Sequence, residues 1–243
     1  MKIISLVPSI TELLVDLGLE QNLVAVTKYC VHPEYIRSEK EIIGGTKTLN
    51  LEKIKSLKAD LIIANKEENQ KEQIEDLLQT EPIWLTDIRT IEDNWLFIED
   101  VGNRCHVKTE ADKMVQEARS KWAQLKNTFK SKSVLYFIWR KPYMTISHNT
   151  FIHSILSELG FISVSKDLEG NYPVITPEWI AKQHIDYILL SSEPYMFKQK
   201  HCSEFSTMNP NAEIKLIDGE MCSWYGSRML LAPDYFMNYS KEL

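Results

Sequence analysis

The 243-residue chain carries no C-x-x-C pair, no H-x-x-x-H, no G-x-S-x-G elbow and no P-loop. Its four cysteines, Cys30, Cys105, Cys202 and Cys222, do not amount to a disulfide framework and are read as free thiols. His148 and His153 fall about 140° apart around a helix, so they share no face, and Cys30 with His32 is only a pair. His184 and His201 read as surface residues. No metal site and no catalytic constellation is therefore assigned. No run of 18 apolar residues exists, which excludes a spanning helix. No stripe of Lys and Arg is present and the net charge is −6, which argues against nucleic acid as a partner. No apolar h-region precedes the strand-like residues 3–7. The expectation is cytoplasmic if Met1 is the natural start, and periplasmic or cell-surface if a leader has been removed.

What is present centres on residues 108–130. Val107, Ala111, Met114, Ala118, Trp122, Leu125 and Phe129 recur at steps of four and three, the period of one helical face. Charged and amide side chains fill the positions between them, and Thr109 stands as a candidate N-cap. At 1.5 Å per residue this predicts a rod of roughly 35 Å, long enough to cross a small domain. The rod is either an ordinary surface helix or a stiff strut between two lobes.

Strand and helix patterns alternate on both sides of it. Before it, strands are predicted at 3–7, 23–27, 61–64 and 83–85, with helices at 10–17, 51–57, 70–79 and 91–102. Ser9 is expected to cap the first helix and Asn50 the second. After it come strands at 134–139, 143–146, 186–190 and 214–217. Helices follow at 150–159, from 176 with proline at its favoured first position, and at 227–240. The double glycine at 44–45 reads as a turn rather than a phosphate cradle. Such alternation predicts an α/β protein of two Rossmann-like lobes with mainly parallel sheets, residues 1–107 and 131–243, joined by one long rigid α-helix over 108–130.

An internal repeat supports two lobes. Glu52 and Glu178 each open a short helix, Ile54 and Ile180 follow two positions on, and Asp60 and Asp186 each precede an apolar strand. One offset, 126 positions, relates all three pairs. Two lobes leave a cleft at their strand carboxyl ends. The residues expected there are Tyr29, Lys66, Glu67, Arg89, Trp139, Arg140, Tyr143, Glu193, Tyr195, Trp224 and Tyr225. Flat aromatic surfaces with a few charges of both signs suit a bulky, flat or chelated ligand. The alternative for each aromatic is that it fills the core of its own lobe.

The segments Ser5-Leu6-Val7-Pro8-Ser9-Ile10-Thr11-Glu12, Gly44-Gly45-Thr46 to Asn50-Leu51-Glu52 and Lys58-Ala59-Asp60-Leu61-Ile62-Ile63-Ala64, with the central helix, resemble the helical-backbone (class III) substrate-binding proteins of ABC importers. The resemblance implies a monomer that binds cobalamin, a ferric siderophore or haem as a non-covalent ligand, with no catalysis. It also implies that Glu52 and Glu178 contact a dimeric permease. Two exposed carboxylates at equivalent helix starts can register a symmetric partner through charge-assisted hydrogen bonds. Their competing role is stabilisation of the helix dipole, about 0.3–1 kcal/mol each. Two other functions remain open at this stage: a cytoplasmic relative that handles metal chelates as enzyme or carrier, and a protein-interaction module.

Overall fold

A computed structural model describes residues 1–241. The chain forms two compact units. The first holds Met1–Ile88, Glu92–Ala118 and Tyr225–Leu230; the second holds Arg89–Ile91, Arg119–Trp224 and residues 231–241.

In the first unit the elements run β1 (Ile3–Ser5), α1 (Pro8–Asp16), β2 (Leu23–Val26), α2 (Ile36–Glu39), β3 (Glu41–Ile42), β4 (Gly44–Gly45), β5 (Thr48–Leu49), α3 (Leu51–Leu57), β6 (Leu61–Asn65), α4 (Lys71–Leu77) and β7 (Ile83–Thr86). Then come α5 (Ile91–Arg104) and α6 (Lys108–Ala123), which passes into the second unit after Ala118. The sheet order is β3-β2-β1-β6-β7 and every pairing in it is parallel. Ile4, Ile62 and Ala64 on the strands meet Ile54, Ile74 and Leu77 of α3 and α4 in one buried cluster. Burial of an aliphatic side chain of this size contributes about 1.5–3 kcal/mol.

The second unit contains β8 (Ser133–Trp139), β9 (Tyr143–Thr145), α7 (Phe151–Glu158), β10 (Ile162–Ser163), β11 (Val174–Ile175), α8 (Pro177–Lys182), β12 (Tyr187–Ser191), α9 (Gln199–Met208), β13 (Glu213–Ile217), α10 (Gly219–Ser223) and α11 (Ala232–Tyr239). Its sheet runs β11-β9-β8-β12-β13, with β10 also on β8. β8, β10, β12 and β13 are parallel, and β9 pairs antiparallel with β8. Leu135, Phe137, Ile188, Leu190 and Phe205 lie at the centre of its core.

The 126-position offset recurs in the structure. β6 and β12 are each five residues long and their first residues differ by that offset. Asp60 accepts from the Lys2 backbone N–H at 2.6 Å, and Asp186 accepts from the Ser133 backbone N–H at 2.7 Å. In each unit one carboxylate thus ties the entry of the central strand to its neighbour. Asn50 accepts from the Lys53 N–H at 3.0 Å and Thr176 from the Trp179 N–H at 3.2 Å, so α3 and α8 start on equivalent caps.

Five expectations need correction. Thr109 lies inside α6 rather than at its cap, and His201 is buried rather than at the surface. The long helix ends at Ala123, not Lys130, and spans about 24 Å at 1.5 Å per residue. Leu125 and Phe129 are buried as their spacing predicts. However, the N–H groups of Asn127 and Phe129 donate to the Glu158 and Leu159 carbonyls at the end of α7. Asn127 and Ser131 adopt positive φ, and Phe129 stacks on Phe161 at 4.4 Å. Tertiary partners for the backbone thus replace the helical ladder.

The first helix begins at Pro8, with Val7 at the cap and no side-chain capping bond, because proline's fixed φ suits the first helical position. Ser9 is inside the helix and buried. The helix expected over 227–240 is α11 alone, preceded by a 3-10 turn at Ser227–Leu230 and by the unforeseen α10. Pro233 stands in the first turn of α11, where its missing N–H costs nothing.

The 3-10 turn belongs to the first unit. Arg228 meets Glu12 of α1 through Nη2 to Oε1 at 2.7 Å and Nε to Oε2 at 3.1 Å, both side chains buried. Burial pushes the Glu12 carboxyl above its ordinary range, and the Arg228 guanidinium opposes that shift. Gly226 donates its N–H to Asn94 of α5 beside this pair. Arg228→Ala should cost about 3–5 kcal/mol, since it strands a buried carboxylate. Urea titration checks this, and Arg228→Met combined with Glu12→Met should cost less than Arg228→Ala alone.

Candidate functional site

Parallel pairing collects the strand carboxyl ends of each unit on one edge, and the loops that leave that edge are not committed to the ladder. The residues there differ in how they are held.

In the first unit, Tyr29 follows β2 and is 52% exposed. Its ring lies on the backbone of Gly45, where an added Cβ would come within 2.9 Å of Tyr29 Cε2. The Lys28 ammonium stands 5.1 Å from the ring centroid. The glycines at 44–45 form a two-residue antiparallel pairing with Thr48–Leu49, and no more than a floor for Tyr29 is required of Gly45.

The loop after β6 is built on two buried amides. Asn65 Oδ1 accepts from the Glu67 N–H at 2.8 Å, and Asn69 Oδ1 accepts from the Asn65 N–H at 2.9 Å. Asn69 Nδ2 donates to the Leu6 and Thr46 carbonyls, both at 3.1 Å, and Asn65 Nδ2 to Thr86 Oγ1 at 3.2 Å. This network fixes the positions of Lys66 and Glu67. Lys66 Nζ pairs with Asp87 at 3.0 Å, and Lys47 Nζ donates to the Glu67 carbonyl. Burial pushes the neighbouring Glu68 carboxyl up, against the attraction of Lys47.

Tyr225 belongs to this unit as well, but its ring is buried and packs edge-on against Phe97 at 6.2 Å. Burial raises its phenol well above the usual range. Tyr225 is thus a core residue of the first unit, the alternative open to each aromatic. Arg89 falls in the second unit and is half-buried.

The second unit groups Trp139, Arg140, Tyr143 and Tyr195. Trp139 is 39% exposed, donates its indole N–H to the Lys141 carbonyl at 3.1 Å, and meets Tyr195 edge-on at 5.6 Å. Arg140 donates to Glu204 Oε2 through Nε at 2.9 Å and Nη2 at 2.6 Å, and the Tyr143 hydroxyl donates to Glu204 Oε1. Burial by itself would raise the Glu204 carboxyl, but the bonds from Arg140 and Tyr143 outweigh it and hold it below the ordinary value. Burial, then the bond to Glu204, push the Tyr143 phenol up to about 12.

Glu193 and Trp224 form a separate pair, in which Glu193 Oε1 accepts from the indole N–H at 2.9 Å. Sequence reasoning misses Glu204, Asp87, Asn65 and Asn69. Glu204 lies 64 positions from Arg140 and Asp87 lies 21 from Lys66, so no local pattern links the partners.

Glu52 and Glu178 are exposed at the second positions of α3 and α8. Hydrogen bonds at the helix start, from its own backbone N–H and from Thr176, lower the Glu178 carboxyl. Among the described residues no three His, Cys, Asp or Glu side chains are grouped to hold a metal ion, and no helix is long and apolar enough to cross a membrane.

Two α/β units, one on a parallel and one on a mainly parallel sheet, whose strand carboxyl ends present exposed aromatics and internally paired charges, have the layout of a small-molecule binding protein. Comparison with known proteins agrees. Residues 3–211 match the periplasmic binding protein family, and the chain belongs to that family.

It is 26% identical over 204 residues to the vitamin B12-binding protein of Vibrio cholerae, covering 82% of this chain and 71% of that protein. It is also 26% identical over 200 residues to an uncharacterized ABC transporter substrate-binding lipoprotein of Bacillus subtilis, covering 77% and 62%. The apo periplasmic heme-binding protein of Roseiflexus sp. RS-1 shares the fold with a TM-score of 0.82 at 16% identity, over 99% of this chain and 98% of that one.

Glu204 supplies a pH test. A carboxyl held below its ordinary 4.5 stabilises the fold above that pH, and the contribution is lost as pH falls through the lowered value. Glu204→Gln should therefore melt lower than wild type at pH 6, and the gap should narrow towards pH 3. Melting curves at the two pH values check this.

Proposed function

We propose that the chain is the substrate-binding component of an ABC-type importer, working outside the cytoplasmic membrane, and that its cargo is a metal chelate of the cobalamin, haem or ferric-siderophore kind. The observation that carries this reading is the composition of the strand-end rims. Tyr29 and Trp139 are exposed there, Tyr195 and Trp224 are half-buried, and Lys66 and Arg140 are each paired with a carboxylate of the same unit. Such a lining offers broad apolar surface with fixed polar points, which suits a large rigid ligand better than a sugar or a bare ion. The similarity to a vitamin B12-binding protein and to a transporter lipoprotein supports the same class.

The ligand contacts proposed are Tyr29, Lys66, Glu67 and Arg89 with Trp139, Arg140, Tyr143, Tyr195 and Trp224. The chain binds and releases its cargo without chemical change. Glu52 and Glu178 are assigned to the permease. Each is exposed at the second position of a capped short helix, where a carboxylate is oriented by the helix start and open to an incoming arginine.

Visible spectra and melting curves recorded with cyanocobalamin, hemin and a ferric siderophore test the cargo. One of them should raise the melting temperature by several degrees and change its own absorption on binding; absence of any shift with all three would overturn the reading. Tyr29→Ala should weaken that ligand about tenfold with a melting loss of no more than a few degrees, as befits an exposed side chain. Glu52→Ala with Glu178→Ala should leave ligand affinity within twofold of wild type and abolish stimulation of the permease ATPase. A tenfold loss of affinity would place the two glutamates in the pocket instead.

A further inference from the structure

Glu193 stands at the strand-end edge of the second unit, and one of its carboxylate oxygens is already engaged. Oε1 accepts from Trp224 Nε1 at 2.9 Å and from Ser223 Oγ at 2.8 Å, a hydroxyl whose one proton is shared with the Gly219 carbonyl at 2.8 Å. Both donors come from the end of α10, a helix that the sequence does not announce. Three further features serve this one carboxylate.

The first is a gap. A Cβ built on Gly219 would lie 2.4 Å from Glu193 Cγ and 2.5 Å from Ser191 Oγ, so only glycine leaves a passage for the glutamate stem across the start of α10. The second is a backbone brace. Ser191 Oγ donates to the Glu193 carbonyl at 2.6 Å and itself accepts from the buried Tyr136 hydroxyl at 2.9 Å. The third is a tie between the two loops: Gly219 donates its N–H to Ser192 Oγ at 2.8 Å, and Ser192 donates its own N–H to the Ile217 carbonyl at 3.0 Å. The Glu193 loop and the Trp224 helix are thus locked to each other through backbone and side chain.

We infer that Glu193 is a positioning residue rather than a ligand contact: it holds the Trp224 indole in one orientation, so that the ring is a preset apolar wall for the bound chelate. This rests on the binding function proposed above. The chemical consequence is specific. An indole whose N–H is consumed by a carboxylate has no donor to give, and it meets a ligand only through its π surface. Trp139 is treated in the same way, with its N–H on the Lys141 carbonyl. Both tryptophans of this edge therefore select for an extended, conjugated or apolar ligand face, and against a ligand that must be read by hydrogen bonds from the indoles. Fixing the ring before binding also spares the ordering cost that a free rotamer would impose on association.

The test uses the full chain and two readouts. In a proton–nitrogen correlation spectrum the Trp224 indole signal, assigned by its loss in Trp224→Phe, should move upfield and broaden in Glu193→Leu. Glu193→Gln, whose amide oxygen still accepts, should restore most of the wild-type position. In fluorescence titrations with cyanocobalamin and with hemin, Glu193→Leu should weaken whichever probe binds about tenfold. Trp224→Ala should do at least as much, and the double variant should lose no more than Trp224→Ala alone.

An unmoved indole signal in Glu193→Leu would overturn the proposal. So would an affinity loss in Glu193→Gln equal to that in Glu193→Leu, which would mark a direct charge contact with the ligand. Binding of neither probe by wild type would fall on the proposed cargo, and the indole signal, which needs no ligand, would still decide the role of Glu193.

Discussion

Parallel strand pairing is the constraint from which the rest follows. Because β1, β2, β6 and β7 all run one way, as do β8, β12 and β13, each unit gathers its strand carboxyl ends on a single edge. The interior strands β6 and β12 are paired on both sides and read as apolar runs over 61–64 and 187–190, and their entries are each fixed by one aspartate on a backbone N–H. The polar residues that the sheets cannot absorb are displaced into the loops beyond those ends. An edge rich in polar and aromatic loop residues is therefore a direct product of the topology.

That edge is also tied down by side chains. Its loops are held by polar networks, buried at Asn65 and Asn69 and part-buried at Glu204 and Glu193, rather than by length or glycine content. Asn65 and Asn69 tie the β6 loop to its own strand and to the segments at Leu6 and Thr46 through five hydrogen bonds to backbone and one to Thr86. Glu204 gathers Arg140 and Tyr143, and Glu193 gathers Ser223 and Trp224. Each network pairs donors with acceptors that folding has partly withdrawn from water, which is the condition for such a group to stabilise rather than cost. It also lowers the number of charges that a ligand would have to desolvate.

Much of this was legible from residue order. The Asn50 cap with the helix over 51–57, the proline start at 177 and the strand at 61–64 all follow from short-range rules, and the structure places α3, α8 and β6 within a residue or two of those positions. The repeat relating Glu52 to Glu178 and Asp60 to Asp186 was visible as well, because equivalent caps and strand entries demand the same residue types. The long helix was legible in its buried face and illegible in its end. Periodicity reports which side chains face inward, and Leu125 and Phe129 do so whether or not the backbone between them is helical.

The site divides along the same line. Sequence by itself determined which residues follow the strands, and hence that Tyr29, Lys66, Trp139, Arg140 and Glu193 stand on the strand-end edges, since that depends on alternation and chain order alone. Only tertiary structure decided which of them are spoken for. Tyr225 is adjacent to Trp224 in the chain yet is buried in the first unit, and Arg228 closes on Glu12 across 216 positions. Burial and charge pairing are set by neighbours in space, and a side chain carries no record of a partner that reaches it from another part of the fold.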